Sequence, residues 1–318
     1  MSRKSIASAA TTSVPSFGRP EITQAATRIA PYIRKTPVMH LEINGLAVTL
    51  KLEQLQVSGT FKARGAFNRC LSSGAKDIVA ASGGNHGIAV AYAAKTLGMI
   101  AHIFVPQTAP AAKVEKLQAL GVKVHLVGSQ YAEALAASLA FAQENAFPIS
   151  HAYDQFETLC GQGTLAREWQ EQSPKLDTVL VAVGGGGLIG GMAAWLQGDV
   201  KIVAVETETC ATLHHAMKAG EPVDIEVSGY AADALGAKRV GALMFPIAQQ
   251  FIAQSVLVSD AAVRSAQLQA WREARIAAEP AGAAAWAALA SGAYVPQSGE
   301  RVGVLICGAN LDPTQLIG

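Results

Sequence analysis

A strand-like stretch at residues 46–52 is joined to a helix-like one at residues 66–71 by Ser58-Gly59-Thr60-Phe61-Lys62-Ala63-Arg64-Gly65. Thr60 is predicted to cap the helix, which places Lys62 in its first turn. Because the positive end of a helix dipole disfavours an ammonium, we expect the pKa of Lys62 to fall and its amine to attack carbonyl groups. On this segment alone a solvated surface lysine is the alternative, since most lysines are exposed.

Strand-like and helix-like segments alternate outward from this segment along nearly the whole chain. Short apolar runs at 78–81 and 100–105 are each followed by a longer helix-like stretch. The same pattern predicts a strand at 149–153 and a helix at 237–249. Strands that are separated by crossover helices pair in parallel and carry helices on both faces of their sheet. The fold class is therefore predicted to be α/β, with two parallel-sheet domains.

The chain has 318 residues, which predicts about two domains. Residues 70–150 are expected to form a smaller domain, and residues 21–69 with 151–318 a larger one. Residues 1–20 are rich in Ser, Ala and Thr and contain no acidic residue. We expect them to be a disordered N-terminus, with an organelle-targeting segment as the alternative.

The amino-acid composition argues against several classes of protein function. Half of the residues are hydrophobic, 15% are charged and the net charge is +1, which gives no electrostatic case for nucleic acid or a membrane surface. No apolar run approaches the roughly 20 residues of a membrane helix. The cysteines show no C-x-x-C spacing, which argues against zinc and against a disulfide framework. A reducing cytoplasm is the expected location.

Four consecutive glycines stand between a strand-like run at 178–183 and a helix that begins near Leu188. They are Gly184, Gly185, Gly186 and Gly187. Consecutive glycines let backbone N–H groups converge on an anion at a helix N-terminus, so the sequence predicts a phosphate site. A nicotinamide-dependent oxidoreductase is the alternative, because Gly185-x-Gly187-x-x-Gly190 fits the dinucleotide motif and Glu206 follows about 20 residues on.

Residues 82–87 read SGGNHG and also stand between a strand and a helix. These small residues expose a run of backbone amides and the Ser82 hydroxyl, which suits a carboxylate. Asn85 is placed to hydrogen-bond a ring oxygen. His86 is as readily a helix-capping or core residue as an acid–base group, so we predict no catalytic role for it.

These motifs, with PQTAP at 106–110, GQGT at 161–164 and CGAN at 307–310, resemble the serine/threonine dehydratase and serine racemase family in their order and spacing. The resemblance runs from about Ile22 to the C-terminus. It implies a fold-type II pyridoxal-phosphate enzyme, similar in fold to tryptophan synthase β. It also implies a homodimer that acts on a small amino acid.

The resemblance implies a role for each motif. Lys62 would hold pyridoxal 5′-phosphate covalently, Asn85 would bond its phenolic oxygen, and Cys307 would face its pyridine nitrogen. The residues implied to bind the cofactor are Lys62, Phe61, Asn85, Gly184, Gly185, Gly186, Gly187, Leu188 and Cys307. The residues implied to receive the substrate carboxylate, largely through the backbone, are Ser82, Gly83, Asn85 and His86. From the residues alone, Cys307 is equally a buried structural cysteine.

The identity of Cys307 bears on the reaction. A neutral thiol does not keep a pyridine nitrogen protonated, so a long-lived carbanion is poorly stabilised and prompt loss of a β-leaving group is favoured. We therefore predict an ammonia-lyase that eliminates the β-hydroxyl of a small amino acid, L-threonine or L-serine first. The products would be a 2-oxo acid and ammonia, with Lys62 as the general base.

Departures from the family pattern narrow the choice within it. Gly83 stands where racemases carry an acid–base serine, which disfavours serine racemase as the alternative. Thr212 stands where metal-dependent members carry an aspartate, so a divalent-cation site with Glu206 is doubtful and no metal site is predicted. Ala234 replaces the glycine of the usual A-D-G, which leaves substrate contacts there open. A 3-hydroxyaspartate dehydratase is the other alternative, and it would need an extra cation near the β-carbon.

Overall fold

The computed structural model describes residues 17–316. Residues 1–16, which hold most of the N-terminal segment predicted to be disordered, lie outside the described residues, as do residues 317–318. Within the described part, strands and helices alternate as the hydrophobic pattern predicts. None of the helices in residues 17–316 is both long and apolar enough to cross a membrane.

The strands and helices have the following bounds. The strands are β1 (Val38–Ile43), β2 (Leu46–Leu52), β3 (Asp77–Ala81), β4 (Ile100–Val105), β5 (Lys123–Leu126), β6 (Thr178–Ala182), β7 (Lys201–Thr207), β8 (Ile252–Val258) and β9 (Val302–Ile306). The helices are α1 (Arg19–Ile29), α2 (Lys62–Ser73), α3 (Asn85–Leu97), α4 (Ala111–Ala119), α5 (Tyr131–Asn145), α6 (Phe156–Gln172), α7 (Gly187–Leu196), α8 (Thr212–Ala219), α9 (Ala232–Leu235), α10 (Phe245–Phe251), α11 (Asp260–Ala274) and α12 (Pro280–Ala290).

In the described residues these strands form two sheets. The larger sheet has the order β1-β2-β9-β6-β7-β8 and the smaller one the order β3-β4-β5. Every neighbouring pair is parallel except β1 and β2, which form an antiparallel hairpin. The predicted α/β class with parallel sheets is confirmed. The division into a domain of residues 70–150 and a domain of 21–69 with 151–318 stays a prediction.

Two predicted elements are wrong. Residues 149–153 form no strand, and Ile149 makes only an isolated bridge to Val79. The helix predicted at 237–249 is present only as α10, because the backbone before it bonds elsewhere: the Gly241 N–H donates to the Gly185 carbonyl at 3.0 Å. That bond joins the segment to residues 184–187, the glycine loop, in place of a hydrogen bond within a helix.

Helices α2, α6 and α7 approach one another closely through glycines. A β-carbon added to Gly161 would lie 2.6 Å from the Arg64 carbonyl oxygen, and one added to Gly163 would lie 2.7 Å from the Gly191 carbonyl oxygen. Contacts this short leave no space for a side chain. The GQGT motif therefore serves helix packing and brings the start of α2 up against the larger sheet.

A buried ionic network lies beneath the start of α2. Arg64, fully buried, donates from Nε and Nη2 to the two carboxylate oxygens of Glu53 at 2.9 and 2.7 Å, and from Nη2 to Glu168 at 3.0 Å. Lys51, also fully buried, pairs with Glu168 and donates to the Thr36 carbonyl at 2.8 Å. This network joins β2, α2 and α6, and so fixes the helix that carries Lys62.

Candidate active site

The end of β9 sets the position of Lys62. Thr60 forms an antiparallel bridge with Gly308, and the Phe61 N–H donates to the Cys307 carbonyl at 3.1 Å. Lys62 is the first residue of α2, so its predicted place in the first turn is confirmed. The predicted cap is also confirmed, because Thr60 is extended, Phe61 already has helical backbone angles, and Thr60 Oγ1 accepts the Lys62 N–H at 3.4 Å.

The Lys62 amine is held at a partly buried position. Its Nζ donates to the Ala152 carbonyl at 2.7 Å and lies 5.1 Å from the Phe61 ring centroid. Burial lowers the pKa of Lys62 to about 8, against the opposing effect of Cys307 and Glu279. The expected lowering of the Lys62 pKa is therefore confirmed, with burial as its main cause.

The glycine loop ends in a helix N-terminus. Gly186 has a φ of 87°, which a residue with a side chain rarely adopts, and α7 starts at the next residue. The first donor within the helix is the Gly190 N–H, which reaches the Gly186 carbonyl at 2.8 Å. The N–H groups of Gly187, Leu188 and Ile189 precede it and have no acceptor inside the helix, which is the donor set that an anion requires.

A second helix begins on the opposite side of the site. The first N–H that bonds within α3 is that of Ile88, which donates to the Gly84 carbonyl at 3.1 Å. The N–H groups of Asn85, His86 and Gly87 therefore have no acceptor inside the helix. The Ser82 hydroxyl accepts the Gly84 N–H at 3.2 Å. A β-carbon added to Gly83 would lie 3.3 Å from Val105, and one added to Gly84 would contact nothing within 4 Å. Space above this loop is open.

His86 is a core histidine. Its ring Nε2 lies 2.9 Å from the Ser150 carbonyl oxygen, and burial lowers its pKa to about 3. The ring is therefore neutral near pH 7 and directed to the protein backbone. Of His86, only the main-chain N–H therefore remains for the predicted binding of the substrate carboxylate.

Asn85 is fixed from two sides. Its Nδ2 donates to Glu279 Oε1 at 2.7 Å, and its Oδ1 accepts from Asn310 Nδ2 at 2.8 Å. An amide nitrogen carries two protons, so one remains for a ring oxygen. The expected role of Asn85 toward a phenolic oxygen is compatible with this geometry.

Sequence reasoning missed Glu279. This residue precedes α12, is 4% exposed, and its N–H donates to the Gly308 carbonyl at 3.0 Å. Burial raises its pKa to about 7. One feature of the sequence could have indicated Glu279. It stands directly before the proline that opens an alanine-rich, apolar helix, where a solvent-exposed carboxylate is not expected.

Cys307 completes the site. It is 2% exposed, and burial, followed by the Glu279 carboxylate, raises the pKa of its thiol well above the ordinary value. The thiol is therefore neutral. A neutral thiol, a lysine with a lowered pKa and two open helix N-termini are thus brought together by strands and helices that are distant in sequence.

This arrangement has a counterpart among known families. The family model described as "Pyridoxal-phosphate dependent enzyme" matches residues 29–308. The chain belongs to this family. Its cofactor is pyridoxal phosphate, and the donor set fits that group: α7 offers amides to a phosphate, Asn85 an amide proton to a phenolic oxygen, and Lys62 an amine to the aldehyde.

Relatives of this pyridoxal-phosphate enzyme match most of its length. A phenylserine dehydratase from Ralstonia pickettii is 34% identical over 313 residues, covering 95% of each chain. An L-threonine ammonia-lyase from Thermotoga maritima is 33% identical over 278 residues, covering 85% of this chain and 69% of that one. Maize serine racemase superposes with a TM-score of 0.89 at 30% identity, covering 95% and 96%. The predicted family resemblance and the fold-type II class are confirmed.

The Glu206 side chain of this pyridoxal-phosphate enzyme accepts hydrogen bonds from backbone N–H groups. Its carboxylate oxygens accept the Leu213 and His214 N–H groups at 2.7 and 2.8 Å, so it caps α8. Thr212 Oγ1 donates to the Ala237 carbonyl at 2.6 Å, joining α8 to the segment beyond α9. Among residues 17–316, no three His, Cys, Asp or Glu side chains are arranged to hold a metal ion.

Replacing Thr212 with valine is expected to cost about 1–2 kcal/mol of the free energy of unfolding, because the Ala237 carbonyl loses its donor in a mostly buried setting. Urea unfolding would measure the loss. The matched control is Thr96→Val, since Thr96 is exposed and bonds the Tyr92 carbonyl within its own helix. A Thr212→Val loss no larger than that of the control would contradict the assignment.

Glu279 is expected to make stability depend on pH. Its pKa is raised from about 4.5 to about 7, so the folded state binds the proton more tightly than the unfolded state. This contribution is fully present below the unfolded pKa and is lost as the pH rises through the folded pKa. The Glu279→Gln variant should therefore lose less stability than the wild type between about pH 4.5 and pH 7. Urea midpoints across this range test it, and parallel curves would contradict it.

Proposed function

We propose that the protein is an ammonia-lyase that dehydrates and deaminates a small β-hydroxy amino acid, with L-threonine or L-serine first. The observation that carries the proposal is the Phe61 N–H bond to the Cys307 carbonyl at 3.1 Å, which brings the start of α2, with Lys62 and its lowered pKa, to a buried cysteine thiol. The relatives named L-threonine ammonia-lyase and phenylserine dehydratase support this class. The second of these names adds aryl-bearing β-hydroxy amino acids to the candidate substrates.

Substrate binding would use the start of α3. The amides of Asn85, His86 and Gly87 precede the first internal donor, so a carboxylate placed there meets backbone N–H groups and the positive end of the helix dipole. The Ser82 hydroxyl lies at the same turn. This contact would fix the α-carbon relative to Lys62.

Lys62 would act as the base. With a pKa of about 8, its amine is neutral in a useful fraction of molecules near neutral pH, and the Ala152 carbonyl orients Nζ at 2.7 Å. Bound pyridoxal phosphate supplies an electron sink for the charge that develops at the α-carbon. Lys62 would then remove the Cα proton, and that proton would be returned to the departing β-hydroxyl, which leaves as water. The released enamine would tautomerise to an imine, and water would hydrolyse the imine to the 2-oxo acid and ammonia.

Cys307 would direct the outcome. Since its thiol stays neutral, it offers no negative charge opposite a pyridine nitrogen, and the charge at the α-carbon is relieved by loss of the β-substituent. Gly83 supplies no acid–base group to the second face, which argues against racemisation. Glu206, which a nicotinamide site would require for a ribose, has both oxygens bonded to α8 amides.

The test is an assay of ammonia and 2-oxo acid release from L-threonine, L-serine and threo-3-hydroxyaspartate, with D-serine formation followed in parallel. We expect release from the monocarboxylates and negligible racemisation. Strong preference for the dicarboxylate, or racemisation faster than ammonia release, would overturn the proposal. Tight binding of a reduced nicotinamide without turnover would favour the oxidoreductase alternative.

The assembly and location also belong to this proposal. By analogy with the family, the enzyme is a homodimer in the cytoplasm, where all four cysteines stay free. Residues 70–150 would form the smaller domain, which carries the carboxylate loop and closes over the substrate. Scattering with and without substrate that showed no compaction would contradict the closure.

A further inference from the structure

The glycine loop packs closely against two side chains. A β-carbon added to Gly185 would lie 2.4 Å from Cδ1 of the Tyr153 ring, and one added to Gly187 would lie 2.8 Å from the Tyr153 Cα. A β-carbon added to Gly186 would lie 2.6 Å from Cε of Met244, which is fully buried. Contacts this short fix the loop against both residues. The position of the loop therefore depends on what holds Tyr153 and Met244.

Asp154 joins the two segments that carry these side chains. It follows Tyr153 directly, and its two carboxylate oxygens accept the Ala242 and Leu243 N–H groups at 3.0 and 2.9 Å. Met244 is the next residue in that segment. Hydrogen bonds to a carboxylate are about twice as strong as those between neutral groups. Asp154 therefore fixes the turn of Tyr153 relative to the segment of Met244.

The same segment orients one peptide group of the glycine loop. The Gly241 N–H donates to the Gly185 carbonyl at 3.0 Å. In a trans peptide the carbonyl of one residue and the N–H of the next point in opposite directions, so the Gly186 N–H is directed away from Gly241. A β-carbon added to Gly241 would lie 2.7 Å from Asp154 Oδ1. The segment thus approaches the carboxylate too closely for a side chain.

The turn that contains Asp154 also contacts the reactive lysine. The Ala152 carbonyl accepts Lys62 Nζ at 2.7 Å, and His151 Nδ1 accepts the Asp154 N–H at 2.9 Å. Residues 151–154 are therefore bonded to the amine through a carbonyl and to the neighbour of the glycine loop through a carboxylate. The aldehyde and the phosphate of pyridoxal phosphate are carried by one rigid ring, so the spacing of the groups that receive them must be fixed as well.

We propose that Asp154 is a positioning residue for the cofactor phosphate. By holding residues 241–244 it orients the peptide group between Gly185 and Gly186 and keeps the amides of the glycine loop directed to the anion. Asp154 acts through the loop and not by contact with the phosphate, because both of its oxygens are bonded to other amides. A loop that is held before binding loses less conformational entropy when the phosphate binds. The proposal does not depend on which reaction the enzyme catalyses.

The test compares two ligands that differ in the phosphate alone. The cofactor is removed from the full-length protein with hydroxylamine, and pyridoxal phosphate or pyridoxal is titrated back while the visible absorbance is followed. We expect Asp154→Ala to raise the dissociation constant of pyridoxal phosphate about tenfold, which is the effect of losing one or two charge-assisted hydrogen bonds. The dissociation constant of pyridoxal should stay unchanged. Asp154→Asn keeps one carbonyl oxygen and should show a smaller loss.

The matched control is Asp177→Ala. Asp177 also accepts a backbone N–H, that of Arg301 at 2.9 Å, but it stands before β6, whereas the glycine loop follows that strand. This variant should leave both dissociation constants unchanged. Equal weakening of the two ligands by Asp154→Ala would indicate a general loss of structure, and unchanged or tighter binding of pyridoxal phosphate would show that the carboxylate does not support the loop. Either result would overturn the proposal.

A variant on the other side of the contact tests the path from Asp154 to the loop. Gly241→Ala places a β-carbon against the carboxylate and should show the same phosphate-specific loss. The double variant Asp154→Ala/Gly241→Ala should lose no more than the larger of the two single losses, because removing the carboxylate frees the space. Additive losses would show that the two residues act independently and would rule out this path. These titrations need no turnover, so a failure of the proposed β-elimination would leave their result unchanged.

Discussion

Lys62→Ala is expected to lower kcat/KM for the preferred β-hydroxy amino acid by at least about 10⁴-fold. The variant loses the amine that anchors the cofactor and the base that removes the Cα proton, and a positioned base alone contributes about 10²–10⁴-fold. Ammonia release measures the loss. We expect the wild-type holoenzyme to show a visible absorption band that shifts when substrate is added, and this band should be missing as a covalent feature of the variant.

The control for this experiment is Lys95→Ala, because Lys95 is an exposed lysine of α3. It should keep both the absorption band and the activity of the wild type. A Lys62→Ala protein that retains its band after gel filtration, together with more than a tenth of the activity, would remove Lys62 from both roles. A colourless wild type that stays colourless with added cofactor would instead count against the fit of the whole site.

Arg64→Met is expected to cost about 3–5 kcal/mol of the free energy of unfolding. Arg64 is the bidentate partner of the fully buried Glu53 and also reaches Glu168. Methionine fills similar volume but removes the guanidinium bonds from the buried Glu53 carboxylate, whose remaining side-chain donor among residues 17–316 is Thr36. The penalty comes from that unpaired charge. Urea unfolding of the holoenzyme would measure it.

The matched control is Arg167→Met. Arg167 pairs with Glu171 one helical turn away at the surface, so its loss should cost less than about 1 kcal/mol. The double variant Arg64→Met/Glu53→Gln should recover part of the loss, since the buried charge is removed with its partner. Equal losses in Arg64→Met and Arg167→Met would contradict the role given to the network.

Most of the fold could be predicted because five of the described strands, β3, β4, β6, β7 and β9, are almost entirely buried. A parallel strand such as β4 is a short apolar run between turn residues, and β4 has the bounds that the pattern predicts. The hairpin of β1 and β2 was missed although Asn44-Gly45 is a common two-residue turn. Its outer strand is largely exposed and lacks the apolar run that marked the others.

The site was only partly predictable, because some of its contacts join residues that are distant in the sequence. Lys62 and the glycine loop lie in local motifs whose chemistry depends on a strand-to-helix turn. Glu279 matters only because Gly308 and Asn85 approach it from distant parts of the chain. Contacts of this kind depend on topology, which periodicity does not encode.

The place of β9 has a consequence for biosynthesis. This strand lies between β2 and β6, in the middle of the larger sheet, and it is followed by the bridge from Gly308 to Thr60. On the ribosome, β2 and β6 therefore wait without their common neighbour until residue 308 has left the exit tunnel. We therefore expect the cofactor site to be completed late in maturation, because the bonds that join Phe61 to Cys307 and Thr60 to Gly308 form only after β9 has emerged.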